Sequence, residues 1–137
     1  MAQVAKPPLL VMTPEKLVEC LRQGELRSGK LVLVDVRDED RSLGYIIGSH
    51  WLPSEEFYKD VAASVDSILK TYASAKKFVF HCQLSKIRGP SCASLFREEV
   101  ARNHPKRAAD TQVYVLEGGF QAFASTYGRD EDLVSGV

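Results

Sequence analysis

The chain has 137 residues, 45% of them hydrophobic and 26% charged, with 18 Lys and Arg balancing 18 Asp and Glu. These values fit one compact globular domain and give no general electrostatic case for nucleic acid or an anionic membrane as partner. No apolar run approaches the roughly 20 residues of a membrane helix, and the N-terminus lacks a secretory apolar stretch, so the expected compartment is the cytoplasm, with the nucleus left open.

Residues 1–8 are expected to form a flexible tail, because Pro7-Pro8 does not readily start regular structure. Leu9 to Met12 is a short apolar run read as an edge strand. Thr13-Pro14-Glu15 supplies a cap, a proline for the first helical position and an acid for the first turn, which marks a helix start. Leu17, Val18 and Leu21 give that helix its apolar stripe, which stops near Gly24; Cys20 lies beside the stripe, and burial is its expected fate. From Leu31 to Val36 the residues are Val and Leu, with Asp35 near the end, rather than an alternation of apolar and polar. That run predicts a central parallel strand buried on both faces.

Gly44 to Pro53 is turn-rich. Phe57, Val61, Val65, Ile68 and Tyr72 then recur in steps of four, four, three and four, predicting one long helix from Ser54 to about Tyr72. Phe78 to Phe80 reads as a strand, and Pro90 to about Ala101 as a helix whose apolar face holds Cys92, Leu95, Phe96 and Val100. Arg102 to Asp110 is polar and expected to be a loop, and Val113 to Leu116 is another buried strand. Gly118-Gly119 turns into a short helix carrying Phe120, Phe123 and Tyr127, its glycines read as serving backbone geometry alone. Residues 129–137 are read as a C-terminal tail. Strands alternating with helices predict one α/β domain over residues 9–128, with a mostly parallel central sheet flanked by helices on both faces. Such sheets bind ligands at the carboxyl ends of their strands.

The chemistry concentrates in His81-Cys82-Gln83-Leu84-Ser85-Lys86-Ile87-Arg88-Gly89-Pro90, which joins a strand to a helix. Five residues between Cys82 and Arg88 are enough for a loop to curl around one tetrahedral oxyanion. Successive backbone N–H groups of such a loop form an anion-binding nest, and the helix N-terminus adds further donors. Arg88 supplies a permanently charged, two-pronged clamp, and Cys82 sits where its thiolate is favoured. His81 and Gly89 are read as loop support, since a side chain adjacent to the nucleophile more easily shapes the loop than moves a proton.

Three cysteines, Cys20, Cys82 and Cys92, make a poor disulfide framework, and without a Cys-x-x-Cys pair no zinc site is expected, nor any other metal. His50 and His104 are read as solvated or locally hydrogen-bonded. Cys92 is expected in the core, the alternative being a resolving thiol that reaches Cys82.

Three segments carry a family resemblance: Asp35-Val36-Arg37 with Gly44-Tyr45-Ile46 and Gly48-Ser49; His81-Cys82 through Arg88-Gly89-Pro90; and Val115-Leu116-Glu117-Gly118-Gly119-Phe120. Over about Leu9 to Gly128 the chain resembles rhodanese-fold domains, and more narrowly the cell-cycle dual-specificity phosphatases and their small arsenate-reductase relatives. The resemblance implies a rhodanese-like α/β fold with Cys82 as nucleophile. Arg88 and the backbone N–H groups of Gln83, Leu84, Ser85, Lys86, Ile87 and Arg88 would hold a phosphate or arsenate. It implies no bound cofactor. For an arsenate reductase, glutathione would be the reductant and glutaredoxin the partner.

Sulfurtransferases of this fold use a shorter loop, so a thiosulfate-type sulfurtransferase carrying a Cys82 persulfide stands as the alternative, with a non-catalytic rhodanese-like binding module as a third reading. The chain departs from the cell-cycle enzymes in two places. Val36 stands where they often carry a protective cysteine, so that route of reversible oxidation is not expected. Ile87 stands where they carry a glutamate, which removes a candidate acid for the leaving group.

Overall fold

The computed structural model describes residues 6–136. Among them seven strands form: β1 (Leu9–Met12), β2 (Leu31–Asp35), β3 (Tyr45–Ile46), β4 (His50–Trp51), β5 (Lys77–His81), β6 (Gln112–Leu116) and β7 (Val134–Ser135). Five of them make one parallel sheet in the order β1-β6-β5-β2-β4, with β3 and β7 as a separate antiparallel pair. β1 is thus the edge strand its sequence suggests, and β5 lies at the centre.

Six helices cover the sheet: α1 (Pro14–Arg22), α2 (Ser54–Lys59), α3 (Val61–Thr71), α4 (Arg88–Asn103), α5 (Pro105–Ala108) and α6 (Gly119–Tyr127). Successive strand residues point to opposite faces, so the continuous apolar runs fill two cores. Val32, Val34, Phe78 and Phe80 pack with Phe57, Val65, Ile68 and Phe96 of α2, α3 and α4. Leu31, Leu33 and Val79 pack with Leu17 and Val18 of α1 and with Phe120 and Phe123 of α6. Each large side chain so buried contributes roughly 1.5–3 kcal/mol before chain entropy is counted. α1 begins as its sequence dictates, with the Thr13 hydroxyl accepting from the Lys16 amide at 3.1 Å and Pro14 at the first helical position.

The expected long helix over 54–72 is two helices. Asp60 leaves the helical region at φ −154°, ψ 88°, and its carboxylate accepts from the Ala63 amide at 3.0 Å, capping α3. A local cap outcompetes the continuous apolar period there. The segment 102–110, expected as a loop, contains α5, with Pro105 at the first helical position. The segment expected as a C-terminal tail returns to the domain. Leu133 and Val134 are buried, β7 pairs with β3, and the Ile47 amide donates to the Leu133 carbonyl at 2.8 Å. Two apolar residues in an acidic stretch are too few to show a period. Residues 1–5 of the expected N-terminal tail, and Val137, lie outside the described residues; Pro7 and Pro8 accept hydrogen bonds from Arg97 and Val113. No helix among the described residues is long and apolar enough to cross a membrane.

Candidate active site

β5 delivers Cys82 to the carboxyl edge of the sheet, between β2 and β6. The thiol is 3% exposed, and the Gly89 amide in the first turn of α4 donates to its Sγ at 3.2 Å. Glycine permits that approach, since a Cβ at residue 89 would stand 3.3 Å from the Cys82 nitrogen and 3.4 Å from the His81 Cα. Ser85 turns the loop at φ +54°, the one non-glycine residue with positive φ among the described residues. The amides of Gln83, Leu84, Ser85, Lys86, Ile87 and Arg88, six in succession, have no hydrogen-bond acceptor among the described residues.

The loop's carbonyls are spoken for by another element. The Phe120 amide donates to the Cys82 carbonyl at 3.0 Å, and the Gln121 amide to the Gln83 carbonyl at 2.9 Å. The orphan N–H groups of the first turn of α6 thereby fix one side of the loop backbone. Gly119 makes the contact possible: its φ is +63°, and a Cβ there would lie 2.6 Å and 2.7 Å from those same two carbonyl oxygens. The glycine pair thus does more than turn the chain, and its tie to residues 82 and 83 was hidden because they lie far away in sequence.

Beneath the loop runs a buried ionic network. Arg37 and Asp35 are both fully buried; Nη2 donates to Oδ2 at 2.8 Å and Nε to Oδ1 at 3.1 Å. Nη1 donates to the Gln83 Oε1 at 3.1 Å, Nη2 also reaches the Gly44 carbonyl, and the guanidinium lies 4.1 Å over the Phe120 ring. Burial alone would push the Asp35 carboxyl up, but the Arg37 fork, together with the Arg37 amide, outweighs it and holds it below its ordinary value. His81 is fully buried, its Nδ1 3.2 Å from the Cys82 carbonyl and its Nε2 without a hydrogen-bond partner. Burial pushes its imidazole down, toward the neutral form.

Arg88 opens α4, and its terminal nitrogens meet two carboxylates from the turn after β2. Nη1 donates to Asp40 Oδ1 at 3.0 Å and to Asp38 Oδ2 at 3.3 Å, and Nη2 donates to Asp40 Oδ2 at 2.5 Å. The hydrogen bond from Arg88 holds the Asp40 carboxyl below its ordinary range, against the opposing effect of burial, and Asp40 in turn raises Arg88. Sequence reasoning missed both acids; the clue was the run Asp38-Glu39-Asp40 directly beyond a strand end, on the edge where the cysteine loop also emerges.

Leu84, Lys86 and Ile87 have exposed side chains. Cys92 is fully buried within the core that also holds Phe96, and burial pushes its thiol up to about 11. Cys20 is buried in the opposite core. His50 stands away from the loop, its Nδ1 2.9 Å from the Tyr72 hydroxyl.

Residues 14–126 match the rhodanese-like domain family, and the chain belongs to that family. Within it, the chain is similar to arsenate reductases and to dual-specificity phosphatases. Arsenate reductase 2.1 of Oryza sativa subsp. japonica is 36% identical over 95 residues, which span 69% of this chain and 56% of that protein. The dual specificity phosphatase ibp1 of Schizosaccharomyces pombe is 29% identical over 118 residues, spanning 77% of this chain and 83% of that one. The structure of an As–Sb reductase from Leishmania major superimposes with a TM-score of 0.79 at 30% identity, covering 93% of this chain and 85% of that one.

Proposed function

We propose that this protein is a cysteine-dependent oxyanion enzyme of the phosphatase and arsenate reductase type. The observation that carries the reading is the run of six amides without acceptors among the described residues, from Gln83 to Arg88, directly after Cys82, whose Sγ receives the Gly89 N–H. Six unpaired donors in one loop, a helix N-terminus and a guanidinium suit a tetrahedral anion with several oxygens.

Acting on a phosphate ester, the Cys82 thiolate attacks phosphorus. An S–P bond forms as the P–O bond to the leaving group breaks, and the leaving oxygen takes a proton. Water then attacks the phosphocysteine, breaking the S–P bond to release inorganic phosphate and the thiolate. The loop amides and Arg88 hold the equatorial oxygens throughout. Acting on arsenate, the same attack displaces an oxygen as water and leaves a thiol–arsenate adduct. Glutathione adds the second thiol; two electrons pass from the sulfurs to arsenic, giving arsenite and a mixed disulfide, which glutaredoxin reduces.

Ile87, which is 77% exposed and immediately precedes Arg88, offers no proton to a leaving oxygen. Arsenate and aryl phosphates, which need little help in departure, are therefore favoured over alkyl phosphates.

The test is turnover by wild type and Cys82→Ser side by side. One reaction holds arsenate, glutathione and glutaredoxin, a second an aryl phosphate, and a third thiosulfate with cyanide. Cys82-dependent turnover of arsenate or the aryl phosphate supports the reading and its faster substrate names the activity. Turnover of thiosulfate alone, or of nothing, overturns it.

A further inference from the structure

Arg88 carries five N–H donors in a planar fork. Asp40 occupies its outer end: one oxygen takes Nη1 at 3.0 Å and the other takes Nη2 at 2.5 Å, with Asp38 Oδ2 sharing Nη1 at 3.3 Å. The Nε–H has no hydrogen-bond acceptor among the described residues. The edge made by Nε–H and the second Nη2–H is thus left open, and that edge can take two oxygens of one anion in parallel.

The carboxylates are themselves held in place. Asp40 Oδ1 accepts from the Asp38 amide at 3.0 Å. Asp38 Oδ2 accepts from the Ser54 hydroxyl at 2.6 Å, and its Oδ1 accepts from the Glu55 amide at 3.2 Å, which ties the pair to the first turn of α2. The support for Arg88 is therefore built from segments outside the cysteine loop. A negative charge beside an anion site opposes ground-state binding, so affinity alone does not account for an acid here. A fixed guanidinium, by contrast, is already aligned when charge redistributes in the transition state.

We propose that Asp40 is a positioning residue: it grips the outer end of Arg88 so that the Nε–Nη2 edge is presented, pre-aligned, to the reacting oxyanion. This rests on the oxyanion-enzyme reading above and assigns the residue that orders its clamp. Asp38 supports the same geometry as a secondary brace.

The test compares wild type with Asp40→Asn, which keeps the volume and an oxygen for the Asp38 amide but loses the charge and the fork. The substrate is whichever of arsenate or the aryl phosphate the wild type turns over, and inorganic phosphate is the binding probe. The expected result is a split: kcat falls by about 10- to 100-fold, while the inhibition constant for phosphate stays the same or drops. In ¹⁵N-labelled wild type, phosphate titration also shifts the Arg88 Nε–H resonance.

Wild-type kcat in Asp40→Asn overturns the proposal, as does a parallel loss of phosphate binding and turnover, which would mean that the loop had collapsed. An Nε–H resonance indifferent to bound phosphate overturns it as well. In each of those cases the wild type still turns over its substrate and the oxyanion reading stands. A wild type that neither binds phosphate nor turns over either substrate overturns both together.

Discussion

The Phe120 amide donates to the Cys82 carbonyl at 3.0 Å, so the first turn of α6 sets the pose of the loop that begins at Cys82. Gly119→Ala tests that relationship. The new Cβ would meet backbone oxygens at 2.6 Å and 2.7 Å, at a φ that disfavours any side chain. We expect a stability loss of about 1–3 kcal/mol and a fall in turnover of at least about tenfold. Gly24→Ala is the control: its φ is +78° but nothing lies within 4 Å. It should cost about 1–2 kcal/mol from backbone strain alone and leave turnover unchanged. Urea melts and steady-state assays of both variants decide the matter; equal activity in the two would break the link between α6 and the loop.

Arg37→Met tests the ionic floor of the site. It would leave the fully buried Asp35 carboxylate with only the residue 37 amide at 3.0 Å and Arg41 Nε at 3.3 Å, and remove the donor to Gln83. Breaking a buried pair from one side costs about 3–5 kcal/mol. A urea midpoint close to that of the wild type would show that the pair does not hold the loop.

His81 predicts a dependence of stability on pH. The folded protein holds its imidazole below the unfolded value of about 6.5, because burial, assisted by Arg37 and Arg41, outweighs Asp35. As pH falls through the unfolded value, the unfolded chain takes a proton that the folded chain refuses. Stability present above that pH is lost progressively below it, with a limiting slope of about 1.4 kcal/mol per pH unit. His81→Asn should flatten the decline between pH 7 and 5; the part due to His50, whose imidazole burial also lowers, remains. Parallel decline in wild type and His81→Asn would contradict a buried neutral imidazole.

Cys92 lies in α4, in the core that also holds Cys82. It is fully buried, with its thiol pushed up to about 11. Brief iodoacetamide treatment of the native protein near neutral pH should label Cys82 and spare Cys92, and Cys92→Ala should retain turnover within a few-fold. Peptide mapping reads the first outcome. Labelling of Cys92, or a large loss of turnover in Cys92→Ala, would instead support a resolving thiol.

The fold was legible because its signals are local. Val32 and Val34 face one core while Leu31 and Leu33 face the other, and both faces show in one unbroken apolar run. The Thr13-Pro14 helix start and the Cys82-to-Arg88 spacing are equally short-range. What escaped depends on distant or competing contacts. Asp60 breaks a helix whose apolar period continues across it, because a side-chain cap is a stronger local demand than the period. Leu133 and Val134 become core only because Tyr45-Ile46 offers them a strand to pair with. The site divides in the same way. Cys82, Arg88 and the spacing between them were written in one stretch, whereas Asp40, reaching Arg88 from 48 positions away, and Gly119, abutting Cys82, are visible only once the sheet aligns its strand ends.

The central claim is that Cys82 forms a covalent bond to the oxyanion centre. The most direct test is acid quench of the wild type during turnover of an aryl phosphate, followed by mass spectrometry of the peptide that contains Cys82 and ³¹P detection of the adduct. The account predicts a phosphocysteine on Cys82 that appears with substrate, decays as phosphate is released, and is absent from Cys82→Ser. Phosphate release with no adduct on Cys82, undiminished in Cys82→Ser, would contradict it.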